Sequence, residues 1–155
     1  MSAEVSVSRY IAAPTSEVWR LVTDLPRMSE WSDENNGGRW LHGVTEPAEG
    51  ATFRGANGAG FRRWRTKVTV DDFVPTTRFS FRSSSVGIPL AQWTYELEGT
   101  PEGCRTTESW TDLRPGFFKP ISAFATGVRD RAAFTEQQMA TTLQRLGRAA
   151  ESTSA

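Results

Sequence analysis

The chain has one cysteine and one histidine among 155 residues. A single thiol, Cys104, excludes an internal disulfide and any multi-cysteine zinc site. A single imidazole, His42, excludes a His-rich metal centre, so no metal is expected. Net charge is missing too: 18 Lys plus Arg balance 18 Asp plus Glu, which removes a bulk electrostatic case for nucleic acid or an anionic membrane as partner. No apolar run approaches the roughly 18 residues of a spanning helix, and MSAEVSVSRYIAAP lacks the basic leader and apolar stretch of a signal peptide. The expectation is a cytoplasmic protein with no membrane insertion. Aromatic surface, by contrast, is plentiful. Six Trp and nine Phe in a domain that buries roughly 70% of its unfolded surface point to a large cavity or groove with aromatic walls.

Periodicity divides the chain into three parts. Ser6 to Ile11 reads as a strand ended by AAP, and a helix follows with Thr15 or Ser16 as cap, Glu17 in its first turn and Val18, Leu21 and Val22 on one face. Leu25, Met28 and Trp31 continue at helical spacing behind Pro26, which suits the first turn of a second short helix. From Arg39 to Leu113 the period becomes 2, with turn signals at EPAEG, NGAG, VPTT, near VGIP and at GTPEG. In RRWRTKVTVDDF, Trp64, Thr66, Val68 and Val70 share one face; Arg63, Arg65, Lys67 and Thr69 share the other. Phe79 with Phe81, and Trp93, Tyr95 and Leu97, repeat the alternation. The C-terminal segment returns to helical spacing through Ile121, Ala125, Val128, Ala132, Met139, Thr142 and Leu146, which predicts one amphipathic helix of about 28 residues and ~40 Å. The spacing predicts one domain over residues 1–150 and a disordered tail over 151–155.

The chemistry-bearing residues are few. SDENNGG resembles a calcium loop until it is counted: from Asp33, the twelfth position is Val44 and the fifth is Gly37, so the bidentate carboxylate and one further ligand are missing. The better reading is a connection between the short helices and the sheet, with Trp31 and Trp40 as anchors and Asp33, Glu34 and Asn35 in a mobile gate. Glu108 follows the phase of Trp110 and Thr106, which turns its carboxylate toward the concave face. It serves either as the polar group that orients a ligand or moves a proton, or as a structural partner of Arg62 or Arg131. His42, in phase with Trp40, is either a general base on the cavity side or a solvent-facing residue. FRGANGAGFRRWRTK invites a nucleic-acid reading, but alternation makes Arg63, Arg65 and Lys67 the solvated face of a strand. Cys104, beginning a strand without a histidine beside it, reads as an inert packed thiol. Acidic Asp130, Glu136 and Glu151 argue against the long helix lying on anionic lipid.

Four segments, IAAPTSEVWRLVTDLPRMSEW, FRGANGAGFRRW, QWTYELEGTPEGCRTTESW and MATTLQRLGRAAE, cover nearly the whole chain. Together they resemble the START-like, helix-grip (SRPBCC) superfamily and, within it, the polyketide cyclase/dehydrase-like branch. The resemblance implies an α+β fold in which a curved antiparallel sheet of about seven strands grips a long C-terminal helix, with two short helices after the first strand. It also implies a cavity for a hydrophobic lipid-, aromatic- or polyketide-like molecule; no cofactor and no nucleic acid are expected, and the chain is expected to be a monomer or homodimer. It does not imply one reaction. The alternative is a cofactor-free aromatase/cyclase or dehydratase in which Glu108 or His42 moves the proton. In either case Trp64, Thr66, Val68, Phe79, Phe81, Trp93, Tyr95 and Trp110 are the expected sheet wall, and Trp40 and Phe53 its edge. Phe117, Phe118, Ile121, Phe124, Val128 and Met139 are the expected helix side.

Overall fold

The computed structural model describes residues 4–154. Seven strands form one antiparallel sheet in the order β1-β7-β6-β5-β4-β3-β2, with β1 Val5–Ile11, β2 Asn35–Trp40, β3 Thr52–Ala59, β4 Arg62–Val74, β5 Arg78–Ser85, β6 Ile88–Thr100 and β7 Gly103–Asp112. Helix α1 (Thr15–Val22) and a 3-10 helix (Leu25–Glu30) follow β1, and α2 (Phe118–Thr126) and α3 (Arg131–Ser154) follow β7. Up to β7 the order is the one the sequence predicts, because each change of hydrophobic period coincides with a change of element. Pro14 precedes α1 in the cap position, so neither Thr15 nor Ser16 caps it through a side chain.

The sheet is amphipathic across its thickness. Ser6 with Ser109 and Ser8 with Thr107 share hydroxyl hydrogen bonds of 2.9 and 2.7 Å between β1 and β7. On the concave side Met139, Leu143, Leu146 and Ala150 of α3 are all buried. Their spacing of four, three and four residues is the stripe a helix needs to lie on a sheet. Val18, Leu21 and Val22 of α1 complete this core with Ile11, Phe79, Leu97 and Cys104. Gly38 lets β2 close on β3, since a Cβ there would collide with the Arg54 carbonyl and the Phe53 ring.

The single long C-terminal helix is corrected. It breaks at Gly127, whose φ of 77° lies in the left-handed region and whose N–H donates to the Ala123 carbonyl. Such a cap ends a helix because the next carbonyls turn away from the axis. Helix α3 restarts four residues later, where the Asp130 carboxylate accepts the Ala133 N–H at 3.1 Å. The interruption resets the helical phase. Phe117, Ile121 and Phe124 therefore face outward, exposed, while Val128 is buried in the link. Gly127→Ala should destabilise the fold by about 1–2 kcal/mol, measured by urea unfolding. Besides the backbone penalty, the added methyl would sit 2.8 Å from the Arg62 Nε; an unchanged midpoint would show that the break is not held by this residue.

The tail is corrected as well. Residues 151–154 continue α3. Glu151 accepts the Ala12 N–H at 2.9 Å and Thr153 donates to the Glu17 carboxylate at 2.6 Å. These bonds tie the helix end to the start of the chain. Residue 155 lies outside the described residues.

Candidate functional site

Between the concave sheet, α2 and the first half of α3 lies a cavity of about 200 Å³. A single buried water needs only ~10–15 Å³ on this measure, so the space is far larger than a packing defect. It forms because α2 bridges from the end of β7 to α3 and does not sink into the sheet. Its inward residues, Phe118, Ser122, Ala125 and Thr126, line the roof. Below them Trp64, Thr66, Phe81, Trp93, Tyr95 and Trp110 present the floor from four adjacent strands.

The buried carboxyl group among the lining residues is Glu108. Strand pairing sets it directly opposite Tyr95, and the Tyr95 hydroxyl donates to its Oε2 at 2.8 Å. Its Oε1 is buried and has no hydrogen-bond partner. Neither predicted cation reaches it. Arg62 instead donates to the Phe124 carbonyl at 2.6 Å, and Arg131 pairs with Glu34 at 2.7 Å. Burial without a cation pushes the carboxyl pKa up to about 8, against the smaller opposing effect of the Tyr95 hydrogen bond. Burial likewise holds the Tyr95 hydroxyl in its protonated form, well above its ordinary pKa. At neutral pH the group is thus held mainly as a carboxylic acid, with Oε2 accepting from tyrosine and Oε1 left without a partner at the cavity's edge.

Three further polar features border the space. Asn57 donates through Nδ2 to the Thr66 hydroxyl at 2.8 Å. Gln138 of α3 has a buried, unpartnered Oε1. Arg114 is clamped by Asp112 at 2.6 Å and reaches Ser122 of α2 at 3.4 Å, so its charge is spent holding the roof. Among the described residues no group of three His, Cys, Asp or Glu side chains is placed to hold a metal ion. None of the described helices is long and apolar enough to cross a membrane.

Residues 2–151 match the family described as polyketide cyclase/dehydrase and lipid transport. The chain belongs to that family. Among solved structures it is similar to DynU16 of the dynemicin biosynthetic locus, at 26% identity and a TM-score of 0.65 over 97% of this chain and 48% of that one. It is also similar to the polyketide cyclase-like protein Cgl2372 of Corynebacterium glutamicum, at 28% identity and a TM-score of 0.63 over 94% of this chain and 89% of that one. The di-domain ARO/CYC StfQ of the steffimycin pathway shares the fold at 12% identity and a TM-score of 0.74, over 96% of this chain and 50% of that one. The chain spans about half the length of DynU16 and of StfQ. No curated protein matches the sequence.

Within this member of the polyketide cyclase/dehydrase family, the predicted site residues separate into two groups. Phe53, Trp64, Thr66, Val68 and Phe81 border the cavity, as do Trp93, Tyr95, Glu108 and Trp110 of β6 and β7. Phe118 and Met139 border it from the helices. Phe79 does not. It lies at the far end of β5, where Phe73 and Trp19 pack against its ring at 6.1 and 6.3 Å, under α1. Trp40 stands behind Phe53, edge to face at 5.3 Å, and not in the cavity. Phe117, Ile121, Phe124 and Val128 are absent from the lining because the helix breaks at Gly127. Of the two readings of His42 the solvent-facing one holds and the cavity-side base does not. β2 ends at Trp40, so strand alternation stops before His42, which sits exposed in a turn with φ 56°.

The gate residues also differ from a loose loop. Trp31 is buried, while Asn35 begins β2 and borders the cavity beside Glu34. The Glu34 carbonyl accepts the Gly58 N–H at 2.8 Å, and its carboxylate pairs with Arg131. Asp33 pairs with Arg145 on the outside, away from the lining. The segment is a tethered edge strand. Sequence reasoning missed Gln138 and Asn57 as lining residues and named Arg131 only as a partner for Glu108. Only the interior placement of Asn57 could have been found, because it pairs in register with Trp64 on β4.

Proposed function

We propose that the cavity binds a hydrophobic small molecule carrying a carbonyl or hydroxyl oxygen, and that this oxygen accepts a hydrogen bond from Glu108. The observation that carries the reading is the unpartnered, buried Oε1 of a carboxyl group that borders a mostly apolar cavity. A buried polar atom without a partner costs stability, so a ligand that completes it gains both contact and specificity. A purely structural role would call for a cation or a second donor at that oxygen. Exchange of ligand would proceed by parting the start of α3 from the β2 edge, where Glu34 and Arg131 form the closing pair.

A second reading is catalysis of the cyclase or dehydratase kind. The Glu108 pKa of about 8 favours it, since a proton donor poised near neutral pH can serve as general acid or base. The biosynthetic setting of DynU16 and the ARO/CYC description of StfQ belong to those proteins, and they make a polyketide-like ligand the first class to try.

Two substitutions separate the readings. Glu108→Gln keeps an acceptor for Tyr95 and an N–H donor for the ligand, so affinity should stay within about threefold, whereas Glu108→Leu should lose about tenfold. Under catalysis, Glu108→Gln should instead lower turnover by roughly 10²–10⁴ with KM little changed. The ligand itself is sought by native mass spectrometry of protein from its own host and by thermal shift against lipid and polyphenol panels. A clean apo mass with no shift across either panel would sink the binding reading.

A further inference from the structure

The chain is neutral overall, but its charge is not evenly placed. Residues 52–70, 83–95 and 113–129 contain eight of the 18 basic residues and none of the 18 acidic ones. These segments build the β3-β4 hairpin, the β5-β6 hairpin and α2, which meet at one end of the molecule over the cavity. Arg62 fastens two of them together, with its guanidinium 5.0 Å from the Phe61 ring and 5.5 Å from that of Phe124. Arg54, Arg63, Arg65 and Lys67 are exposed on the outer side of the same strands, Lys119 stands exposed on α2 with the Asp112 carboxylate 3.9 Å away, and Arg129 follows the helix.

The same end holds most of the exposed apolar surface. Phe61 is 86% exposed at the β3-β4 tip, Val86 89% at the β5-β6 tip, and Phe117 and Phe124 are 70% and 78% exposed on α2, with Ile121 between them. Tyr10 and Val74 are the other large exposed apolar side chains among the described residues, and Val74 ends β4 at its opposite end. Phenylalanines on separate projections beside arginines match a soft interface, in which rings enter the acyl boundary and cations meet phosphates. A protein partner would instead call for a continuous face. The acidic residues that argue against lipid contact in a single long helix, Asp130, Glu136 and Glu151, lie in the link and in α3. Helix α2 carries Lys119 and no acid.

We propose that this end docks on an anionic phospholipid bilayer, with Phe61, Phe117 and Phe124 in the interface and the surrounding arginines and Lys119 on lipid phosphates. Docking would set the cavity roof against the membrane and give an apolar ligand a path that avoids bulk water. The proposal stands on the surface and not on the cavity, so thermal shift with ligands can fail while docking holds, and the reverse.

The test is co-sedimentation of the full chain with phosphatidylcholine vesicles, with and without phosphatidylserine. The wild type should partition onto the anionic vesicles and be released as salt shortens the Debye length below about 8 Å. The double variant Phe117→Ser, Phe124→Ser should partition about tenfold more weakly or worse. Arg63→Glu with Arg65→Glu should also bind less, and Val74→Ser at the far end should match the wild type. Circular dichroism verifies the fold of each. If the double variant fails to fold, Phe61→Ser and the salt series of the wild type decide. No partition onto anionic vesicles, salt-independent partition, or equal partition of the serine variants would overturn the proposal. Self-association lost in the same variants without vesicle binding would assign the face to a second copy of the chain.

Discussion

Stability is expected to fall by on the order of 4–5 kcal/mol as pH rises from 4.5 to about 8, the ordinary and folded pKa values of Glu108. The sign follows from proton binding. The folded state holds the Glu108 proton up to about pH 8, whereas the unfolded chain releases it near 4.5, so above 4.5 the unfolded state is favoured progressively. The contribution is complete below the unfolded value and lost by the folded one. Asp72 acts in the opposite sense, held below its ordinary pKa by Arg78 and Ser80. Asp112 does likewise, because the Arg114 bonds outweigh the raising effect of burial. Their contribution is present above the ordinary aspartate value of 3.8 and disappears as pH falls through the folded pKa. The protein should therefore be most stable in mildly acidic solution. Urea unfolding across this range measures the slope, and Glu108→Gln should flatten its alkaline side. A wild-type profile that is flat from mildly acidic to mildly alkaline pH would mean that water or an unseen cation reaches the carboxyl.

Trp31→Ala should cost about 3–5 kcal/mol, the second large effect. The indole is buried behind the 3-10 helix with the Arg27 guanidinium 5.4 Å above its ring. It belongs to the main hydrophobic core, next to the contact between that helix and the edge strand β2. Its Nε1 is buried without a partner. Trp31→Phe removes that unpaired donor while keeping much of the ring, and should cost about 1–2 kcal/mol. The readouts are the urea midpoint and amide exchange in residues 35–40, which should quicken in the alanine variant as the strand loses its support. If Trp31→Ala unfolds at nearly the wild-type midpoint, the anchor is elsewhere and the edge is held by the Glu34 and Asp33 ion pairs alone.

How far the site was legible can be judged from single residues. Glu108 was placed inward by its phase with Trp110, and Trp64, Thr66 and Val68 by alternation along one strand. A two-residue period states which face a side chain takes. It does not state how far along the strand a covering helix reaches. Phe79 and Phe81 share a face, yet Phe79 meets Trp19 under α1 and Phe81 borders the cavity. His42 shows a second limit. Alternation carries a residue only as far as the strand lasts, and β2 stops at Trp40.

Local patterns determined the order of elements up to β7, the antiparallel sheet and the inward carboxyl, because each follows from neighbours a few residues apart. The partners of that carboxyl were decided by the tertiary structure. Arg62, in phase with Trp64, and Arg131 on the helix were both candidates, but each is taken by a nearer acceptor, the Phe124 carbonyl and Glu34, and Glu108 is left with Tyr95. Four residues at Gly127 to Asp130 likewise turned a predicted helix stripe outward, so aromatic side chains expected inside the cavity stand on its outer rim. Distance in space selects a charge partner and helix phase selects a face, and both depend on chain segments too far apart in sequence for any local pattern to bring together.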